Sequence, residues 1–92
     1  MGHTIIEDAG DRIGDRVIRR KIIGTDDPQY PSGYRYALNY GYTDGRGTVL
    51  RYDNENETVG RHERHTPDGV TEIEFPGMVE LRTRFIEEID HD

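Results

Sequence analysis

The stretch Tyr34-Arg35-Tyr36-Ala37-Leu38-Asn39-Tyr40-Gly41-Tyr42 decides the fold, because it alternates without a break. Tyr34, Tyr36, Leu38, Tyr40 and Tyr42 share one parity, while Arg35, Ala37, Asn39 and Gly41 share the other. A period of two is a strand with one aromatic face and one small or polar face. Thr43-Asp44-Gly45-Arg46-Gly47 carries the Asp-Gly signal of a hairpin turn, so Thr48–Asp53 should return antiparallel to it. In that return strand Leu50 and Tyr52 share one face, and Val49, Arg51 and Asp53 the opposite one.

Working outward, residues 16–23 are rich in Val and Ile and read as a strand. Its facing stays ambiguous, since Val17 and Ile23 oppose Ile18 and Ile22 in parity. Residues 24–33, with Asp26, Asp27, Pro28, Pro31 and Ser32, read as a loop. Residues 54–67 are polar and turn-rich, and Pro67-Asp68-Gly69 leads into a short strand over 70–75 that Pro76 and Gly77 stop. From Met78 onward, Met78, Leu81, Phe85 and Ile89 recur at helical spacing between charged residues. Residues 1–14 are polar, contain Gly2, Gly10 and Gly14, and show no sustained period, which reads as a flexible lead-in. The expectation is an α+β fold: a four-stranded antiparallel sheet with a C-terminal amphipathic helix packed on one face. One domain over 15–92 follows the lead-in.

At 92 residues the chain suits one small domain. No apolar run approaches the roughly 20 residues that span a bilayer, and no secretory pattern opens the chain, so no membrane partner and a cytoplasmic location are expected. With no cysteine, thiol nucleophiles, disulfides and thiolate zinc sites are excluded. Twelve basic residues, eleven of them Arg, face 19 acidic ones for a net charge of −7. An ordinary acidic protein fits this balance, and so does a salt-adapted one, since ions screen charges within about 3 Å at 1 M salt. Such acidity normally argues against nucleic acid, and strong screening weakens that objection. Residues 16–23 carry Arg16, Arg19, Arg20 and Lys21 with no acid, whereas residues 66–92 carry eight acids against Arg82 and Arg84, suggesting a basic edge and an acidic back.

Arg51-Tyr52-Asp53-Asn54 and the nearby His62-Glu63-Arg64-His65 gather the groups suited to acid/base or phosphate chemistry. His3 and His91 sit beside the chain ends, so a histidine site has its home here. A helix should cover the aromatic face, because each buried side chain of that kind stabilises by about 1.5–3 kcal/mol. That leaves Arg35, Asn39, Arg51 and Asp53 on the opposite face, with the following loop able to carry His62 and His65 over them. Metal-independent phosphodiester cleavage is one chemistry such a site supports. His62 and His65 would serve as base and acid, Arg51 would neutralise the phosphorane, and Asp53 or Glu63 would orient an imidazole. Asn54, Arg35, Asn39, Tyr52 and Arg64 are the candidates for substrate binding, with Tyr52 or Tyr34 stacking on a base if exposed. Plainer readings stand beside each: a same-face ion pair for Arg51 and Asp53, solvated histidines, and a tyrosine face that is simply core. His62, His65 and Asp53 or Glu63 also have the donor types for zinc, although His-x-x-His alone is a weak signal.

The basic first strand over 16–23, Tyr34-Arg35-Tyr36, Arg51-Tyr52-Asp53-Asn54 and the histidine-bearing segment ahead of a final helix together resemble the TumE family of toxins from toxin-antitoxin pairs. The resemblance covers about residues 15–89. It implies a small toxin neutralised by direct contact with a cognate antitoxin that is itself DNA-binding. The acid-rich, lysine-poor character is similar to halophilic archaeal proteins. Three roles remain open: an RNA-cleaving toxin without cofactors, a non-catalytic module docking a protein through the polar face and basic first strand, and a subunit that pairs with its own copy through an edge strand.

Overall fold

The computed structural model describes residues 2–55 and 58–90, and His91 lies outside them. Six strands follow in chain order: β1 His3–Ile13, β2 Arg16–Thr25, β3 Tyr34–Tyr42, β4 Thr48–Asp53, β5 Glu63–Thr66 and β6 Gly69–Glu72. Among the described residues a single helix, α1 Met78–Asp90, follows the strands. Each strand pairs antiparallel with the next, giving one meander in the order β1-β2-β3-β4-β5-β6.

The central hairpin forms as its alternation dictates. Leu38 lies opposite Tyr52 and Tyr40 opposite Leu50, so the apolar parities of β3 and β4 coincide on one face. The helix packs on that face through Met78, Leu81 and Phe85, and Tyr36, Leu38, Leu81 and Phe85 are wholly removed from solvent. Pairing with β3 also resolves the facing of β2. Ile18 opposes Tyr40 and Ile22 opposes Tyr36, which puts both in the core and turns Val17 and Ile23 to the other face.

Two strands exceed the expected four. The segment read as a lead-in contains β1, which pairs with β2 from His3 to Ile13 across a bulge near Ile5 and Glu7. Its own residues carry no period that would announce a strand; β2 supplies the template. Glu7 then fastens β1 to the helix, accepting from Arg82 at 2.8 and 2.9 Å and from Arg20 at 3.0 Å. The second addition, β5, has no apolar face and so reads as loop, but it completes the ladder beside β4. The strand expected over 70–75 ends at Glu72, and Phe75 leaves the sheet to pack against the core.

Because β1 flanks β2, the basic first strand is not an edge. Arg20 is held by Glu7 and Asp11, Arg19 lies 3.6 Å from Asp8, and Arg16 pairs with Asp15 at 2.7 Å. These pairings reduce the net positive charge that the strand's arginines offer a partner. None of the described helices is long and apolar enough to cross a membrane.

Candidate functional site

On the face away from the helix, β4 and β5 build a two-by-two array. Arg51 lies opposite His65 and Asp53 opposite Glu63, and a strand period of two puts all four side chains on the same side. Arg51 Nε is 2.6 Å from Asp53 Oδ2. His65 Nε2 is 3.3 Å from Asp53 Oδ1 and 3.5 Å from Glu63 Oε1. Only 1% of Asp53 and 9% of Glu63 is exposed, so two carboxylates sit side by side largely out of water. Such a pair persists only with compensating cations, because desolvation and mutual repulsion both oppose its charge. Arg51 supplies that charge directly, and the imidazole of His65 bridges the two carboxylates.

The same face extends the array into an alternating line. Glu55, two residues beyond Asp53, accepts from Arg35 Nε at 2.9 Å and lies 3.8 Å from Arg51 Nη2. At the other end Arg61 Nε is 3.4 Å from Glu63 and 3.7 Å from Glu72. The order is Arg35, Glu55, Arg51, Asp53, His65, Glu63, Arg61, Glu72, with arginines and carboxylates alternating on either side of the imidazole. Glu55 and Arg61 were missed as site residues. The parity of 51, 53 and 55 gives Glu55 away, while nothing local places Arg61.

The two histidines part company. His62 stacks on Phe75 with ring centroids 4.4 Å apart and on Tyr36 at 5.8 Å, and its Nδ1 is 2.9 Å from the Tyr36 hydroxyl. Tyr36 belongs to the helix-side core, so His62 leans toward the aromatic layer while His65 lies with Asp53 on the opposite face. Burial pushes the Tyr36 phenol well above its usual value, with Asp53 adding to the effect, so the hydroxyl keeps its proton, and the direction of its hydrogen bond with His62 Nδ1 follows the tautomer of that ring. Burial also lowers the pKa of His62, against a smaller opposing pull from Glu72. The stack on Phe75 and Tyr36 gives the ring of His62 a packing role. The shared pocket expected for both imidazoles is not formed; the structure gathers Arg51, Asp53, Glu63 and His65 without His62.

Other expected substrate contacts have structural duties. Asn54 is fully buried, accepts from the Tyr36 N–H at 3.0 Å and donates to the Tyr34 carbonyl at 2.7 Å. Tyr52 is 1% exposed, meets Phe85 edge-on and donates its hydroxyl to Glu88, so it offers no stacking surface. Its phenol is pushed up to about 12, by burial first and then by Glu88. Arg64 faces the helix side with Tyr52 and donates to Glu88 at 2.6 Å. Asn39 lies opposite Arg51 and accepts from the Thr48 hydroxyl at 3.3 Å, and Arg35 keeps an exposed guanidinium. Tyr34 is half-buried beside Phe75.

Among the described residues, Asp53, Glu63 and His65 form a group with metal-ligand chemistry, one donor atom of each lying within 4.8 Å of the others. His62 takes no part in it. Two carboxylates and an imidazole suit a borderline or hard cation. Here, however, Arg51 and His65 already occupy both oxygens of Asp53, and a guanidinium stands at hydrogen-bond distance where a second cation would be repelled.

Comparison with known proteins yields no match among curated sequences and none among solved structures. The family described as Toxin TumE matches residues 6–92, a span that takes in most of β1, the whole central hairpin, the charged array and the helix. With nearly its full length matched, from the edge strand to the final helix, this chain belongs to the TumE family of toxins.

Proposed function

We propose that this toxin acts on RNA, cleaving the phosphodiester by acid/base chemistry centred on His65, without a metal. The observation that carries the reading is the contact line Arg51–Asp53–His65, an imidazole oriented by a buried carboxylate that a guanidinium also holds. With the Nε2 hydrogen given to Asp53, the lone pair on Nδ1 is the base. It takes the proton of the ribose 2′-hydroxyl as that oxygen attacks phosphorus. Arg51 neutralises the charge developing on the phosphorane oxygens, and the imidazolium returns the same proton, through a phosphorane oxygen, to the departing 5′-oxygen. The products are a 2′,3′-cyclic phosphate and a 5′-hydroxyl. One imidazole thus serves both half-steps, which removes the need for His62 as a partner. Membership of a toxin family implies a cognate antitoxin in general, and a DNA-binding one fits this reading.

The test combines growth and chemistry. Purified chain incubated with single-stranded RNA should produce 5′-hydroxyl ends, with or without EDTA. His65→Ala should lower the rate by about 10²–10⁴ with the fold intact, the usual range for a positioned acid/base group. Loss of cleavage in EDTA, or a folded His65→Ala chain that still arrests growth fully, would overturn the proposal.

A further inference from the structure

The charged line contains a pair of cations converging on one carboxylate. Continuing the antiparallel register from Ala37 opposite Asp53 puts Arg35 opposite Glu55, and the 2.9 Å contact from Arg35 Nε realises that pairing. Arg51 approaches the same carboxylate from the neighbouring strand position at 3.8 Å. That distance gives charge attraction but exceeds hydrogen-bond range. Asp53 meanwhile holds Arg51 through Nε, while Nη2 of the same guanidinium stands beside Glu55. The carboxylate is the shielded member, its side chain 18% exposed against 45% for Arg35 and 34% for Arg51. Two half-open guanidiniums around a recessed anion have the form of a phosphate cradle, because the two non-bridging oxygens of a monoanionic phosphodiester take paired N–H donors better than a single carboxylate at 3.8 Å does.

We infer that Arg35 and Arg51 form a binding subsite for an RNA backbone phosphate, and that Glu55 fills it in the free toxin as an internal stand-in for that phosphate. The inference rests on the RNA reading above and deepens it. Arg51 belongs to both the catalytic array and the subsite, so a phosphate captured there is coupled to the position of Asp53 and His65. Binding is then an exchange: the Glu55 carboxylate swings to solvent as the phosphate enters, and the free chain competes with its own ligand.

A 2′-O-methyl single-stranded RNA binds without being cleavable, which separates this claim from catalysis. By fluorescence anisotropy at low salt, Glu55→Gln should bind that probe roughly threefold to tenfold tighter than the unaltered chain, as removal of a competing ion pair implies. Arg35→Gln placed in the Glu55→Gln background should cancel the gain. Glu87→Gln, which removes one charge from an exposed position on the helix, should leave affinity nearly unchanged. Unaltered affinity in Glu55→Gln, an equal gain in Glu87→Gln, or persistence of the gain without Arg35 would each overturn the inference; thermal melts of every variant confirm that folded chains are compared. If Glu55→Gln binds more tightly while His65→Ala still cleaves ordinary RNA, the subsite stands and the acid/base assignment falls.

Discussion

Asn54→Ala is the substitution that best separates a fastener from a ligand. Its amide makes two hydrogen bonds to backbone, one from the Tyr36 N–H at 3.0 Å and one to the Tyr34 carbonyl at 2.7 Å, and it is fully buried. Truncation leaves both backbone groups of β3 without these partners in a space that admits no bulk water. An orphaned buried donor or acceptor costs about 1–3 kcal/mol, so the pair predicts a loss of about 2–5 kcal/mol. With unfolding entropy near 2.1 cal/mol/K per residue, a 92-residue chain should melt about 10–25 °C lower. Asn54→Asp should be at least as damaging, because a carboxylate oxygen then faces the Tyr34 carbonyl where the amide donated, next to the buried Asp53. Urea titration and thermal melting by circular dichroism read both effects. A melting point within about 3 °C of the unaltered chain, together with lost toxicity, would refute this reasoning and return Asn54 to the substrate.

Two further predictions concern titration and packing. Glu7 is held near a pKa of about 2 by Arg82 first, against its burial, and by Arg20, compared with 4.5 when free. Its lowered value means stability that is complete above pH 4.5 and drains away as pH falls from there toward 2. The full linkage is discounted for the half-open Arg82 to about 1–2 kcal/mol, and Glu7→Gln should flatten that part of the stability profile measured by urea midpoints at pH 7 and pH 3. His62 is likewise depressed by burial, so its contribution is present above 6.5 and declines on acidification; His62→Phe should remove this decline while keeping the stack on Phe75, and should leave cleavage per folded molecule unchanged, a loss of more than tenfold counting against its assignment as packing.

What could be read from the sequence followed from periodicity, and what could not followed from pairing between distant segments. The Tyr34–Tyr42 alternation, the Asp44-Gly45 turn and the Met78/Leu81/Phe85 stripe each carry their own signal, and the central hairpin and helix stand where those signals put them. β1 and β5 have no apolar parity to announce them; they are strands because β2 and β4 offer unpaired edges. The grouping of Arg51 with Asp53 is a local consequence of a two-residue period. His65 joins them because β5 is a strand whose register sets it opposite Arg51. The displacement of His62 depends on Phe75 folding back beside Tyr36, a contact thirteen residues downstream by sequence number that no local pattern encodes. Asn54 misleads for the same reason, since an amide suited to a substrate is equally suited to two backbone groups of β3.

The charge of the chain and the chemistry proposed for it are reconciled at Glu55. A net charge of −7 repels a polyanion, and the open face itself sets Arg35, Arg51 and Arg61 against Glu55, Asp53, Glu63 and Glu72, so it offers no standing positive field. If the chain binds RNA as proposed, attraction at this face would rest on local exchange of one anion for another rather than on bulk electrostatics. In ordinary phosphate binding each neutralised phosphate releases counterions, which makes affinity fall steeply as salt rises, with a slope of about −0.7 per contact on single strands. Here salt also screens the Glu55 ion pairs that must break before the phosphate enters, and that easing opposes the loss of affinity. Binding through the Arg35–Arg51 subsite is thus less sensitive to salt than the count of arginines implies, and Glu55→Gln, lacking the compensating anion, regains the steeper slope.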